Sequence, residues 1–152
     1  MPDAYDPVRS VAAFDVVSAT THHTVRDLAQ LMAENNCGAI VVTMRDGQVA
    51  IVTERDIVMC LASGQDSDDA WAVDAMSHPV LVVDPDDDII DAAELMIEGG
   101  VRHLIVEDTE NERIGVVSVR DLLEPLVESI DDADLDDDDL DDDEESEDDG
   151  EE

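Results

Sequence analysis

The phrase Thr53-Glu54-Arg55-Asp56 returns as Ser118-Val119-Arg120-Asp121, 65 positions later. Each copy follows an apolar run, Val49-Ala50-Ile51-Val52 in one case and Ile114-Gly115-Val116-Val117 in the other. Each also opens a segment of helical apolar spacing. A chain written this way is a tandem duplication, so its fold must let two similar units bury their apolar faces on each other. The repeat also sets a hydroxyl, an arginine and a carboxylate at two equivalent strand-to-helix corners. A helix N-terminus has free backbone N–H groups and is a natural place to hold phosphate or ribose.

Periodicity extends the duplication through the chain. In the first half, Val16-Val17 reads as a short strand. Thr24-x-x-Asp27 predicts a capping box opening a helix with Val25, Leu28, Leu31 and Met32 on one face, ended by Asn35, Asn36 and Gly38. Residues 39–43 and 48–52 are predicted strands around the turn signal Asp46-Gly47. A second helix spans 53–62 and stops at Ser63-Gly64. In the second half, residues 80–83 form a strand and Asp88 caps a helix carrying Ile89, Ala92, Ala93, Leu95 and Met96, stopped by Gly99-Gly100. Residues 103–106 and 113–117 pair as strands, and Ser118 opens a helix to about Ile130. The offset is 64 until one extra residue in the second hairpin loop makes it 65. The expected fold is therefore α/β in content (α+β): two β-α-β-β-α repeats packed with pseudo-two-fold symmetry. The expected boundaries are 1–64 for the first repeat with its N-terminal segment, 65–72 for a polar linker, 73–130 for the second repeat and 131–152 for a tail.

That tail has 17 acidic residues out of 22 and no basic one, so it repels itself and is expected to be disordered. Residues 1–130 still hold 26 acidic side chains against seven basic ones, a formal charge near −19. All seven are arginine; lysine is absent. Such a core strains against its own charge unless salt screens it, and at about 1 M salt the Debye length is only about 3 Å. The composition resembles that of cytosolic proteins from salt-in haloarchaea. It argues against nucleic acid or an anionic membrane as partner, both of which need clustered cations. No apolar run approaches the roughly 18 residues of a membrane span, and Met1-Pro2-Asp3-Ala4 lacks a signal-peptide layout, so a cytoplasmic, soluble protein is expected. Cys37 and Cys60 then read as free, partly buried thiols.

At the two corners, helix capping and ligand contact are both open readings, and they are compatible. Arg55 and Arg120 bear on the choice. A cation in the first helical turn opposes the macrodipole, and here two of only seven cations occupy that place, as though answering an anion. Surface pairing with nearby carboxylates is the plain alternative. Arg102 and His103 precede the central strand of the second half, where the first half has Gly38 and Ala39, so the two corners are not equivalently equipped. His103 either meets a ligand or is a partly buried, satisfied histidine. His22-His23 on an extended segment point to opposite sides, so no metal site is expected. Met32, Met76 and Met96 read as packing. No Ser-His-Asp or Cys-His arrangement and no P-loop is legible, and no catalytic residue is assigned.

Three further phrases carry a resemblance. They are Val73-Asp74-Ala75-Met76-Ser77-His78-Pro79-Val80, then Val101-Arg102-His103-Leu104-Ile105-Val106, then Gly115-Val116-Val117-Ser118-Val119-Arg120-Asp121. In this order, and repeated more loosely over residues 16–58, they resemble the paired CBS domain, or Bateman module, across roughly residues 12–128. The first half departs from the pattern twice. Phe14-Asp15-Val16-Val17-Ser18 lacks the usual Met and Pro, and Ala50 stands where the phrase has glycine. The resemblance implies a non-catalytic sensor that binds an adenosyl ligand (AMP, ADP, ATP or S-adenosylmethionine) in clefts between the repeats and regulates a protein partner. It implies a homodimer and no required cofactor. Carried onto this sequence, the better cleft would use Ser118, Arg120, Asp121, Arg102 and His103, with Phe14, Val16 and Val17 against the base. The second would use Thr53, Arg55 and Asp56 with Met76, Pro79, Val80 and Leu81. The alternative is a dimerisation and docking module whose clefts are vestigial.

Overall fold

The computed structural model describes residues 2–77 and 80–138, with side chains through residue 133. A 3-10 turn at Val8–Ser10 precedes β1 (Ser18–Thr20), α1 (Val25–Asn35), β2 (Ala39–Thr43), β3 (Val49–Thr53) and α2 (Glu54–Ala62). A one-turn helix α3 (Ala72–Ala75) leads into β4 (Val82–Val83), α4 (Ile89–Gly99), β5 (His103–Asp108), β6 (Arg113–Ser118) and α5 (Val119–Asp138). Each half makes a three-stranded sheet, β1-β2-β3 or β4-β5-β6, whose first pair is parallel and second antiparallel. Gly47, at φ 85°, takes the left-handed turn position that joins β2 to β3.

Strand alternation divides the interior into three cores. Ile40, Val42, Ala50 and Val52 face α1 and α2 and meet Val25, Leu28, Met32, Ile57 and Cys60. Leu104, Val106 and Val117 meet Ile89, Ala92, Met96 and Leu122 in the second half. The opposite faces of the sheets carry Val41, Ile51 and Ile105, which pack with Val16, Val80, Ile114 and Val116 into a third cluster between the halves. Covered on both faces, β2 and β5 are apolar runs rather than alternating sequences.

The helix starts show why the halves cannot be separated. At α1, Thr24 Oγ1 accepts the Asp27 N–H (3.1 Å) and Asp27 Oδ2 accepts the Thr24 N–H (3.0 Å), the expected capping box. Asp88 sits at the N-cap of α4 but makes no side-chain cap bond. The free amides are taken from elsewhere: Ile89 N–H donates to Asp6 O (3.0 Å) and Ile90 N–H to Ala4 O (2.9 Å). The N-terminal segment thus belongs spatially to the second half. Val8 is fully buried in that core, its N–H donates to Asp87 O (2.8 Å), and Ala13 pairs with Val116 in both directions (2.9 Å each). The mirror arrangement serves the first half. Val25 N–H donates to Ala70 O (2.9 Å), Ser77 N–H donates to Ile51 O (2.9 Å), and Ala70 and Ala72 are buried in the first core. The isolated bridges Pro7–Asp88 and Thr24–Trp71 are related by the same 64-residue offset. Each half is closed by the lead-in segment of the other.

Local differences from the sequence expectation follow from this exchange. Val16 and Val17 precede β1 instead of forming it: Val16 packs between the sheets and Val17 on the first core. β4 is only two residues long. Residues 65–72, expected as a polar linker, seat Ala70 and Ala72 in the interior. α5 continues past Ile130 to Asp138, through Pro125, so the first part of the expected disordered tail is helical. The rest of that tail, 139–152, lies outside the described residues. Among the described residues no helix is long and apolar enough to cross a membrane.

Candidate ligand-binding cleft

Between the halves lies a cleft of about 1100 Å³. The N-terminus of α5 supplies Ser118, Val119, Arg120 and Asp121, and the start of β5 supplies Arg102 and His103. Opposite them stand Asp15, Val16 and Val17 from the N-terminal segment, Asn36 to Ala39 from the α1–β2 turn, and Glu54, Ile57 and Val58 from α2. Ser118, Arg120, Asp121, Arg102, His103 and Val17, predicted from sequence as one set, are therefore brought together. Phe14 is not. Its ring packs in the second core beneath the Arg113 guanidinium, 3.8 Å from the ring centroid, and beside Gly115. Arg113 also donates to the buried carboxylate of Asp108 (3.0 Å), so Phe14 is fixed as a clamp for the N-terminal segment.

The α5 corner is both a cap and an unfinished binding site. Asp121 Oδ2 accepts the Ser118 N–H (2.8 Å) and the Ser118 Oγ–H (3.0 Å), while Ser118 Oγ accepts the Asp121 N–H (3.3 Å). Oδ1 accepts no hydrogen bond from the described residues. A carboxylate held by one oxygen, with the other free at a cleft wall, suits a pair of hydroxyl donors. Arg9, Arg26 and Arg113 pair with Asp86, Asp68 and Asp108. Arg45, Arg55, Arg102 and Arg120 have no ion pair among the described residues, and of these Arg102 and Arg120 line the cleft.

His103 is partly buried, and that burial pulls its pKa below the ordinary 6.5, working against the nearby carboxylates of Asp121, Glu54 and Asp56 and with the Arg102 cation. The folded chain consequently binds fewer protons than the unfolded chain between the two pKa values. This contribution to stability is complete above pH 6.5 and is lost as pH falls through the folded value. In urea unfolding at fixed KCl, His103→Gln should remove the part of the stability loss that this group contributes as pH falls below 6.5. Identical profiles for the two chains would refute it.

The second predicted set is dispersed. Thr53 and Asp56 form a capping box like that of Ser118 and Asp121 (Thr53 N–H to Asp56 Oδ2, 2.9 Å), but neither lines the cleft. Arg55 is exposed, and Val80 packs between the sheets. Leu81 lies over Gly99, and Met76 lines a separate concavity with Trp71 and Arg45. Pro79 lies outside the described residues. Several further lining residues carry no sequence signal for a ligand role, Asp15, Gly38 and Glu54 among them.

The CBS domain family profile matches residues 8–63 and 72–128. An uncharacterised protein of Methanopyrus kandleri is 35% identical over 119 residues, 77% of this chain, and the chain spans 61% of that relative's length. Among solved structures, a hexameric CBS-CP12 protein from bloom-forming cyanobacteria superposes with TM-score 0.72 at 29% identity, over 78% of this chain and 71% of that one. A CBS domain protein from Pyrobaculum aerophilum, solved in complex with AMP, is 32% identical with TM-score 0.67, over 78% and 97% of the two chains. Two successive profile matches, on halves that close each other by exchanged segments, place this chain in the CBS domain family as a tandem pair.

Proposed function

We propose that the protein is a non-catalytic regulatory module that binds one adenosyl ligand (AMP, ADP, ATP or S-adenosylmethionine) in the cleft between its repeats. The observation that carries this reading is the α5 corner. Asp121 has one carboxylate oxygen held by its cap and one free, beside two arginines that have no carboxylate partner among the described residues. The free oxygen suits ribose hydroxyls, and Arg102 and Arg120 with the helix N-terminus suit a phosphate. Val16 and Val17 offer an apolar surface for the base. The AMP complex of the Pyrobaculum relative supports the same class of ligand. Because both halves line the cleft, a ligand there favours one relative arrangement of the repeats, which a protein partner could read.

Asp121 also caps α5, so removing it as Asp121→Ala mixes a folding cost of about 0.5–2 kcal/mol with any loss of binding. Asp121→Asn keeps an acceptor for the cap and is the cleaner test. In calorimetric titration in molar KCl it should weaken adenylate binding by roughly 10- to 100-fold, the loss of one charge-assisted hydrogen-bond pair. Saturating ligand should stabilise the native chain by about 2.7 kcal/mol at 100 times its Kd, readable as a thermal shift. Equal affinity of the two chains would end the assignment of Asp121. No shift with any adenosyl ligand would favour the docking-module reading.

The exposed apolar residues Val58, Met59 and Leu61 on α2 and Leu123, Val127 and Ile130 on α5 support self-association, with a homodimer as the smallest assembly. The hexamer of the cyanobacterial relative supports assembly in general. Light scattering on the same samples decides; a monomer would remove this part. Acidity without lysine supports a salt-rich cytoplasm of haloarchaeal type as the setting, checked by stability that rises with KCl.

A further inference from the structure

We infer that Glu54 sets the charge of the ligand this cleft accepts, favouring a nucleoside monophosphate over the corresponding triphosphate. The inference rests on the adenosyl reading above and concerns the opposite wall of the same cleft. Glu54 and Val119 are equivalent positions, the first residues of α2 and α5, and both line the cleft. Their backbones are tied alike: Glu54 N–H donates to Gly38 O (3.1 Å) and Val119 N–H to Arg102 O (2.8 Å).

The side chains are opposite in character. The α5 end carries Val119 with Arg102 and Arg120 at the cleft wall. The α2 end carries a carboxylate over a bare glycine, and Arg55, the counterpart of Arg120, does not line the cleft. A Cβ placed on Gly38 would lie 3.4 Å from Glu54 Oε1 and 3.7 Å from His103 Nε2, so the carboxylate and the imidazole share the space above that glycine. The α2 helix end thus carries a second carboxylate, Glu54, beside its cap residue Asp56, whereas the α5 end has only the cap carboxylate of Asp121.

The cleft as a whole sets Arg102 and Arg120 against Asp15, Glu54 and Asp121. A single phosphate can stay at the arginines. Each added phosphate brings further negative charge into a cleft that already holds Glu54 and Asp15, and like charges brought together there are repelled.

The test is calorimetric titration of the full chain with AMP, ADP and ATP at one fixed KCl concentration, for the native protein, Glu54→Gln and Glu54→Val. Glutamine keeps the shape and removes the charge, and valine installs what the second half carries. The native chain should prefer AMP to ATP by about tenfold or more, and both variants should narrow that gap to about threefold by binding ATP more tightly. AMP binding by all three chains with an unchanged ratio would overturn the role of Glu54 and leave the adenosyl reading standing. A native preference for ATP would overturn it equally. Failure of every chain to bind any of the three nucleotides would overturn this inference, and absence of S-adenosylmethionine binding in the same titration would overturn the adenosyl reading with it.

Discussion

Ile105→Ala is expected to cost about 2–5 kcal/mol of stability and to weaken ligand binding as well. Ile105 is 1% exposed and, with Val41 and Ile51, forms the contact between the two sheets. Truncation leaves a cavity at the junction of the repeats, where no flexible side chain stands ready to fill it. The cleft is walled by both repeats, so a looser junction lets its two sides drift apart. Leu122→Ala is the control. Leu122 is fully buried but lies in the core of the second half alone, and its loss should cost a similar free energy with little effect on affinity. Urea unfolding and calorimetric titration in molar KCl measure both quantities. If Ile105→Ala binds adenylate as tightly as the native chain, sheet-to-sheet packing does not position the cleft.

Gly115→Val is the second large effect, and it works through the backbone. A Cβ at residue 115 would lie 2.8 Å from Ala13 O and 2.8 Å from Phe14 Cδ1. These atoms belong to a segment held by paired bonds to Val116 and by the Arg113 stack, so they cannot yield cheaply. Overpacking of this kind costs about 1–3 kcal/mol, and pushing the segment off β6 adds the two Ala13–Val116 hydrogen bonds. A domain of this size loses several degrees of Tm for each kcal/mol. Val16 and Val17 continue the displaced segment, so affinity should fall too. Amide exchange at Ala13 and Val116 reads the local effect directly. Native protection at both amides in the variant would show that the segment is not held as described.

The elements themselves were legible because their signals are local. Asp46-Gly47 marks the β2–β3 hairpin, Thr24 and Asp27 mark the start of α1, and the repeated corner marks α2 and α5. Six of the seven residues predicted for the better cleft meet because strand-to-helix corners fix their own geometry. Periodicity does not reveal which half a lead-in segment will cover, because either choice buries the same apolar positions at the same offset. Nor does it reveal which way one side chain of such a segment turns: Val16 and Val17 line the cleft as expected, and Phe14 turns into the second core. Its side chain is directed by Gly115 and Arg113, roughly a hundred positions away. The second predicted set joined the Thr53 corner to the entry phrase as the family resemblance implies, and the halves differ where it matters: Gly38 against Arg102, Glu54 against Val119. The closeness of Glu54 to His103 joins the two repeats and has no signature in either one.

The exchanged lead-in segments also fix an order of events during synthesis. Val8 is synthesised more than a hundred residues before Val117 and Leu122, yet the core that receives it needs both. The first half can finish its core once Ala70 and Ala72 have emerged. Until β6 appears, the N-terminal segment has an apolar face and no sheet to receive it. This segment is therefore made before the first half and seated after it, and long-range closure of this kind slows folding. For a nascent chain this acidic, the salt that screens its charge acts during that wait as well as on the finished molecule.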